Sequence, residues 1–196
     1  MTQESRYPGY DVLKEQTEWD DHTRSIVVGR TEPAPLKALT QEEVDTLRHL
    51  CPLFVDDYRA EVIDYVIRHV DETITSKTGE SERKLNVPKA AELIRGGLQR
   101  IEEDALTLWH KRLAGLTVSE RAEMIQKLLH NQGNASVWEQ FPQAEWAQKI
   151  LRLTVEAYCS HPIVWSEMGY GGPAYPRGYV RMEIGITDPW EAKKSQ

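Results

Sequence analysis

From Thr40 to Ser160 the apolar residues recur at intervals of three and four, the spacing that gathers side chains on one face of a helix. The stretch TQEEVDTLRHLCPLF opens with Thr40 and Glu43 in the T-x-x-E relation of a capping box, which predicts a helix start there, and Pro52 predicts its end or a kink. Beyond it, Val55, Tyr58, Val62, Ile63, Val66, Ile67, Val70 and Ile74 are expected on one face of the next helix. KTGESERKLN reads as a loop before Pro88. A third run carries Leu93, Ile94, Leu98, Ile101, Leu108 and Leu113 around the pair Gly96–Gly97. Each of those glycines costs a helix about 1 kcal/mol relative to alanine, so the pair predicts either a close helix contact or a bend. Thr117 and Glu120 repeat the capping-box spacing before RAEMIQKLLHNQG, which Gly133 stops. A last stretch, residues 136–160, carries Trp138, Phe141, Trp146, Ile150, Leu153, Val155 and Tyr158 and is interrupted at Pro142. No two-residue alternation competes with this pattern, and no internal repeat is present. The expected fold is all-α: an irregular bundle of five to six helices over residues 39–169, with extended non-helical arms at both ends.

The ends read differently. Residues 1–38 carry Pro8, Pro33 and Pro35 and show no useful helical period. Their fragment YPGYDVL offers a Pro-Gly turn between Tyr7 and Tyr10, followed by Val12, Leu13, Trp19, Ile26 and Val27 as apolar anchors. This arm is expected to lie across a surface, its own or a partner's. Near the other end, Ser160 before His161-Pro162 fits a helix N-terminus, and Ile163, Trp165 and Met168 fit a short helix stopping at Gly169. Residues 170–196 form a Gly/Pro/Tyr-rich arm. Pro173 and Pro176 remove backbone donors, while Gly171, Gly172 and Gly178 permit tight turns. Residue content leaves two readings open for it: a coil wrapping the protein's own surface, or an arm inserted into another protein.

Acidic residues outnumber basic ones by 31 to 24, a net charge of -7, which argues against a nucleic-acid partner. No apolar run reaches the length of about 18 residues that crosses a bilayer, so no direct membrane insertion is expected. The opening MTQESRYPGYDVLKEQ has neither a twin-arginine nor an apolar leader, so a cytoplasmic location is expected, or a periplasmic one if a partner or a longer chain supplies the signal. Cys51 and Cys159 fall in helical text, and two buried thiols are expected rather than a disulfide.

The chemistry-bearing motifs are few. There is no GxGxxG after a strand, no GxxxxGK[ST], no HExxH, no paired ExxH, no CxxC and no nucleophile elbow. The histidines, one per segment, read as surface or cap residues, and the acidic pairs at Asp20, Asp56 and Glu102 as solvated faces. No catalytic residue, cofactor ligand or metal ligand is assigned.

The text HPIVWSEMGYGGPAYPRGYVR, residues 161–181, resembles the C-terminal signature of the gluconate 2-dehydrogenase subunit 3 family, the small subunits of bacterial flavin-dependent sugar and sugar-acid dehydrogenases. That resemblance implies a mostly helical chain without flavin. It also implies a partner: a large oxidoreductase subunit of the glucose-methanol-choline type, which holds FAD and performs the chemistry. Of the matched positions, His161, Trp165, Tyr170, Tyr175, Pro176, Arg177 and Tyr179 are expected to bind that partner, with the glycines and prolines shaping the path. The implied role is that of a non-catalytic subunit stabilising an enzyme that oxidises a sugar, glycoside or polyol hydroxyl. Two alternatives remain: a transient maturation chaperone for that flavoprotein, and a free-standing enzyme with a site scattered over His161, Tyr170 and Arg177.

Overall fold

The computed structural model describes residues 5–76, 78, 84–174, 178, 181, 183 and 185–193. The described residues form nine helices and no strand: α1 Asp21–Gly29, α2 Gln41–Leu50, α3 Pro52–Val55, α4 Ala60–Thr75, α5 Ala90–Trp109, α6 Val118–Leu129, α7 Ala135–Trp138, α8 Gln143–Tyr158 and α9 Pro162–Met168. Two 3-10 segments, Val12–Glu18 and Leu113–Gly115, complete them. The all-α expectation holds, and the excess over five to six helices comes from short pieces such as α1, α3 and α7. Two compact units result, one of Ala34–Ala157 and one made of Met1–Pro33 together with Tyr158–Gln196.

In the unit Ala34–Ala157, α2 and α4 pack on α5, and α5 also meets α7 and the turn Leu113–Gly115. Both capping boxes form. The Glu43 N–H donates to Thr40 Oγ1 at 3.3 Å while the Thr40 N–H donates to Glu43 Oε2 at 2.8 Å, and Thr117 and Glu120 repeat the exchange. The glycine pair marks close packing, and α5 runs through it without interruption. A Cβ at Gly97 would lie 2.1 Å from the Trp146 ring, and one at Gly96 would lie 2.8 Å from Phe141. The bare backbone at Gly97 thus admits the indole, whose Nε1–H donates to the Ile94 carbonyl at 3.2 Å. Trp138 lies beside it, ring centres 5.4 Å apart, and donates its own Nε1–H to Asp104 Oδ2 at 2.8 Å. Burial pushes the Asp104 carboxyl above its ordinary pKa, against the pull of that indole.

Asp71 anchors the start of this unit. Although buried to 1% exposure, its carboxylate accepts three consecutive backbone N–H groups, from Lys37, Ala38 and Leu39, at 2.7 to 2.8 Å. Burial is the largest single influence and pushes its pKa up, but the three donors together outweigh it and hold the group below its ordinary value. Arg95 donates to the Ala38 carbonyl of the same stretch.

Several expectations are corrected. The run from Val55 to Ile74 is not one face, because α3 ends at Asp56 in a left-handed conformation (φ 49°) and Asp57 chelates Arg59 through the next turn. Tyr58 points outward, 56% exposed, and the buried stripe begins at Val62. Glu102 is not a solvated acid: it accepts from the Thr46 hydroxyl at 2.8 Å and from the Leu113 N–H at 3.1 Å. Asp57 and Asp104 are buried as well. Of the two free thiols only Cys51 is buried, its pKa pushed up to about 12 by desolvation, whereas Cys159 is exposed beyond the end of α8.

The N-terminal arm is not non-helical. Asp11 accepts the Leu13 N–H and starts the 3-10 segment, and Asp20 accepts the Thr23 N–H at 2.7 Å and starts α1. Both are aspartate caps on segments too short to show a period, and local capping rather than amphipathicity forms them. No described helix is long and apolar enough to cross a membrane.

Candidate docking site

The signature text begins with α9. The helix is entered through His161, which takes the N-cap place expected of Ser160: its Nδ1 accepts the Ile163 N–H at 3.3 Å, and Pro162 occupies the first turn, where a missing N–H costs nothing. A ring nitrogen that accepts carries no proton, so in the neutral imidazole the proton sits on Nε2. His110 and His130 likewise stand at helix ends, in keeping with the cap reading of the histidines.

The helix leaves through a left-handed glycine. At Gly169 φ is 74°, the Gly169 N–H donates to the Ser166 carbonyl at 3.2 Å and the Tyr170 N–H to the Trp165 carbonyl at 2.9 Å. These two bonds are the Schellman pattern, and the apolar contact that accompanies it is present too, with Trp165 and Tyr170 edge to face at 5.3 Å and 86°. The W-x-x-x-G-Y spacing in the signature is therefore a helix stop that orients Tyr170.

Around α9 lies a small apolar core of Val12, Trp19, Val27 and Trp165, with Tyr10 and Leu13 against it. The Trp165 Nε1–H donates to the Cys159 carbonyl at 2.6 Å, and the Arg30 guanidinium stands 5.2 Å from the Trp165 ring while donating to the Ser160 carbonyl at 2.8 Å. The Val12 N–H donates to Ser166 Oγ, the Ser5 hydroxyl to the Glu167 carbonyl, and the Tyr10 hydroxyl to the Trp190 carbonyl at 2.7 Å. Two rings sit on glycines: a Cβ at Gly169 would lie 2.4 Å from Tyr7, and one at Gly172 (φ 78°) 2.5 Å from Trp19. Over its described residues, then, the start of the C-terminal segment packs on the protein's own N-terminal segment.

The expected partner-binding residues fall into different places. His161 and Trp165 are interior, 1% and 5% exposed, while Tyr170 is at the surface, 38% exposed. Tyr175, Pro176, Arg177 and Tyr179 lie outside the described residues. Tyr7, Trp19 and Arg30, which organise the segment, carry no site signal in the sequence, because nothing local ties them to residues at the far end of the chain. Among the described residues, no three His, Cys, Asp or Glu side chains gather as a metal site would require. The other unit carries an open concavity of about 460 Å³ lined by Arg48, Pro52, Tyr58, Ala60, Ile63 and Asp64, of which Arg48 and Asp64 form an ion pair at 2.9 Å.

Residues 41–172 match the family described as Gluconate 2-dehydrogenase subunit 3. The chain belongs to that family. The match runs from the first residue of α2 to Gly172, so it includes the Schellman stop and the glycine beneath Trp19, and it leaves out the N-terminal segment that covers them. No curated protein and no solved structure matches the chain. A gluconate 2-dehydrogenase subunit 3 is by its description one subunit of a multi-subunit dehydrogenase, and membership implies an accessory subunit of such a complex.

Proposed function

We propose that this chain is the non-catalytic small subunit of a heteromeric FAD-dependent dehydrogenase. It binds and stabilises a large subunit of the glucose-methanol-choline type that oxidises a hydroxyl of a sugar, glycoside or polyol. The observation that carries this reading is the family match over residues 41–172, which takes in most of the helical body and the ordered start of the C-terminal segment. Flavin binding and hydride transfer then belong to the partner, and this chain contributes by covering partner surface, which stabilises the bound state by mass action.

Within the docking segment, Tyr170 presents side-chain surface at 38% exposure, and Tyr175, Pro176, Arg177 and Tyr179 follow it in the sequence. Tyrosine and arginine are the residues that most often carry interface affinity. His161 and Trp165 serve from inside, by capping α9 and fixing the ring against which Tyr170 stands.

Co-expression with a glucose-methanol-choline type oxidoreductase encoded beside it, followed by size-exclusion chromatography read at flavin wavelengths, tests the proposal. The expected result is a yellow, stoichiometric peak containing both chains. Elution of this chain alone, with a flavoprotein that is soluble and active without it, overturns the reading.

A further inference from the structure

We propose that the N-terminal segment, residues 5–30, is a brace that holds residues 160–172, α9 and the start of the docking segment, in their binding conformation, with Tyr7, Trp19 and Ser166 as positioning residues. This rests on the docking role proposed above and adds to it the part of the chain that sets the docking conformation. At seven residues, α9 is below the length at which a helix stands unaided, so its order comes from the face it buries. That face is Pro162, Val164 and Trp165, and the neighbours of Trp165 in its core, Val12, Trp19 and Val27, all come from the N-terminal segment. Ser166 then fixes the register by accepting the Val12 N–H at 3.0 Å, and Ser5 reaches the Glu167 carbonyl one residue further on.

The glycines give the contact its direction. Gly169 and Gly172 are left-handed, at φ 74° and 78°, a region that flexible coil samples without settling in it. Tyr7 covers the first and Trp19 the second, each where a Cβ would collide with the ring, so the two rings select the conformation that carries Tyr170. An arm fixed before it meets its partner loses less conformational freedom on binding, and the affinity of the docking segment therefore depends on residues that need not touch the partner. The brace lies outside the family match, which begins at residue 41.

Trp19 offers a clean probe. Its buried indole N–H has no acceptor among the described residues, so its ring acts by packing, and phenylalanine removes no described hydrogen bond. The full-length variants Trp19→Ala, Trp19→Phe and Tyr7→Ala would be compared with wild type by hydrogen exchange and by affinity for the co-expressed large subunit. Trp19→Ala is expected to speed exchange across residues 160–172 about ten-fold or more while α5 stays unchanged, and to weaken the complex in parallel. Trp19→Phe restores most of both, and Tyr7→Ala acts in the same direction to a smaller extent. If exchange in α5 shows that Trp19→Ala unfolds the whole chain, Tyr7→Ala decides the question. Loosening of residues 5–30 with no change across 160–172 overturns the brace. So does a weakened complex with unchanged exchange, which would mean that the N-terminal segment meets the partner itself. A wild-type chain that forms no complex overturns the docking reading alone, because the exchange measurement needs no partner.

Discussion

The two units reach order by different routes. Ala34–Ala157 is built from one continuous stretch, in which the longer helices carry their own apolar stripes, two starts carry capping boxes, and Trp138 and Trp146 pack on α5. The unit made of Met1–Pro33 and Tyr158–Gln196 is built from both chain ends, and its central contacts are rings on glycines, a guanidinium over an indole, and hydrogen bonds from backbone to side chain. The first route is local and redundant. In the second, each element is too short to hold alone, so stability waits on contacts between segments distant in sequence and is correspondingly easier to lose in part.

The sharpest way to break that comparison is Trp146→Ala. Removing a ring with no exposure, seated over Gly97 and bonded to Ile94, is expected to cost about 3–5 kcal/mol, read as a lowered denaturation midpoint for the helical body. A cost below about 1 kcal/mol would mean that this core is not the single packed body described.

Next in size is Asp71→Asn. Asparagine keeps one acceptor and turns an NH2 toward N–H groups that need an oxygen, so a loss of about 1–3 kcal/mol is expected at neutral pH. Because the folded pKa of Asp71 is held below its unfolded value, the wild-type advantage is complete above about pH 4 and fades as pH falls through the depressed folded value. Denaturant titrations of both proteins across that range should converge in acid. Parallel curves would mean that the three N–H bonds do not depend on the charge.

The smallest effect sharpens the contrast from the other side. Arg30→Ala removes the cation-π contact with Trp165 and the hydrogen bond to the Ser160 carbonyl, for an expected cost of about 1 kcal/mol. It should appear as faster proteolysis near Ser160, with the transition of the helical body unmoved. A shift of that transition by the same amount would show that the two units melt together.

The sequence by itself determined the helical class, the capping boxes at Thr40 and Thr117, the stop at Gly169 and the break at Pro142, because each depends on residues within one or two turns. The stop expected at Gly133 falls earlier, where α6 ends at Leu129 and Asn131 takes the left-handed place at φ 57°. The text HPIVWSEMGYGGPAYPRGYVR also carried the resemblance to the family, and the helix stop at Gly169 within it is local chemistry. Only the tertiary structure decided which aromatics occupy which glycines. Gly97 receives Trp146, Gly169 receives Tyr7 and Gly172 receives Trp19, and none of these pairs has a spacing or a period to announce it. The same holds for Asp71, one of many acids in the sequence, which becomes an anchor only when the chain from Lys37 to Leu39 is laid over it. A missing side chain says that something must come close, and the identity of what comes close is a property of the folded chain.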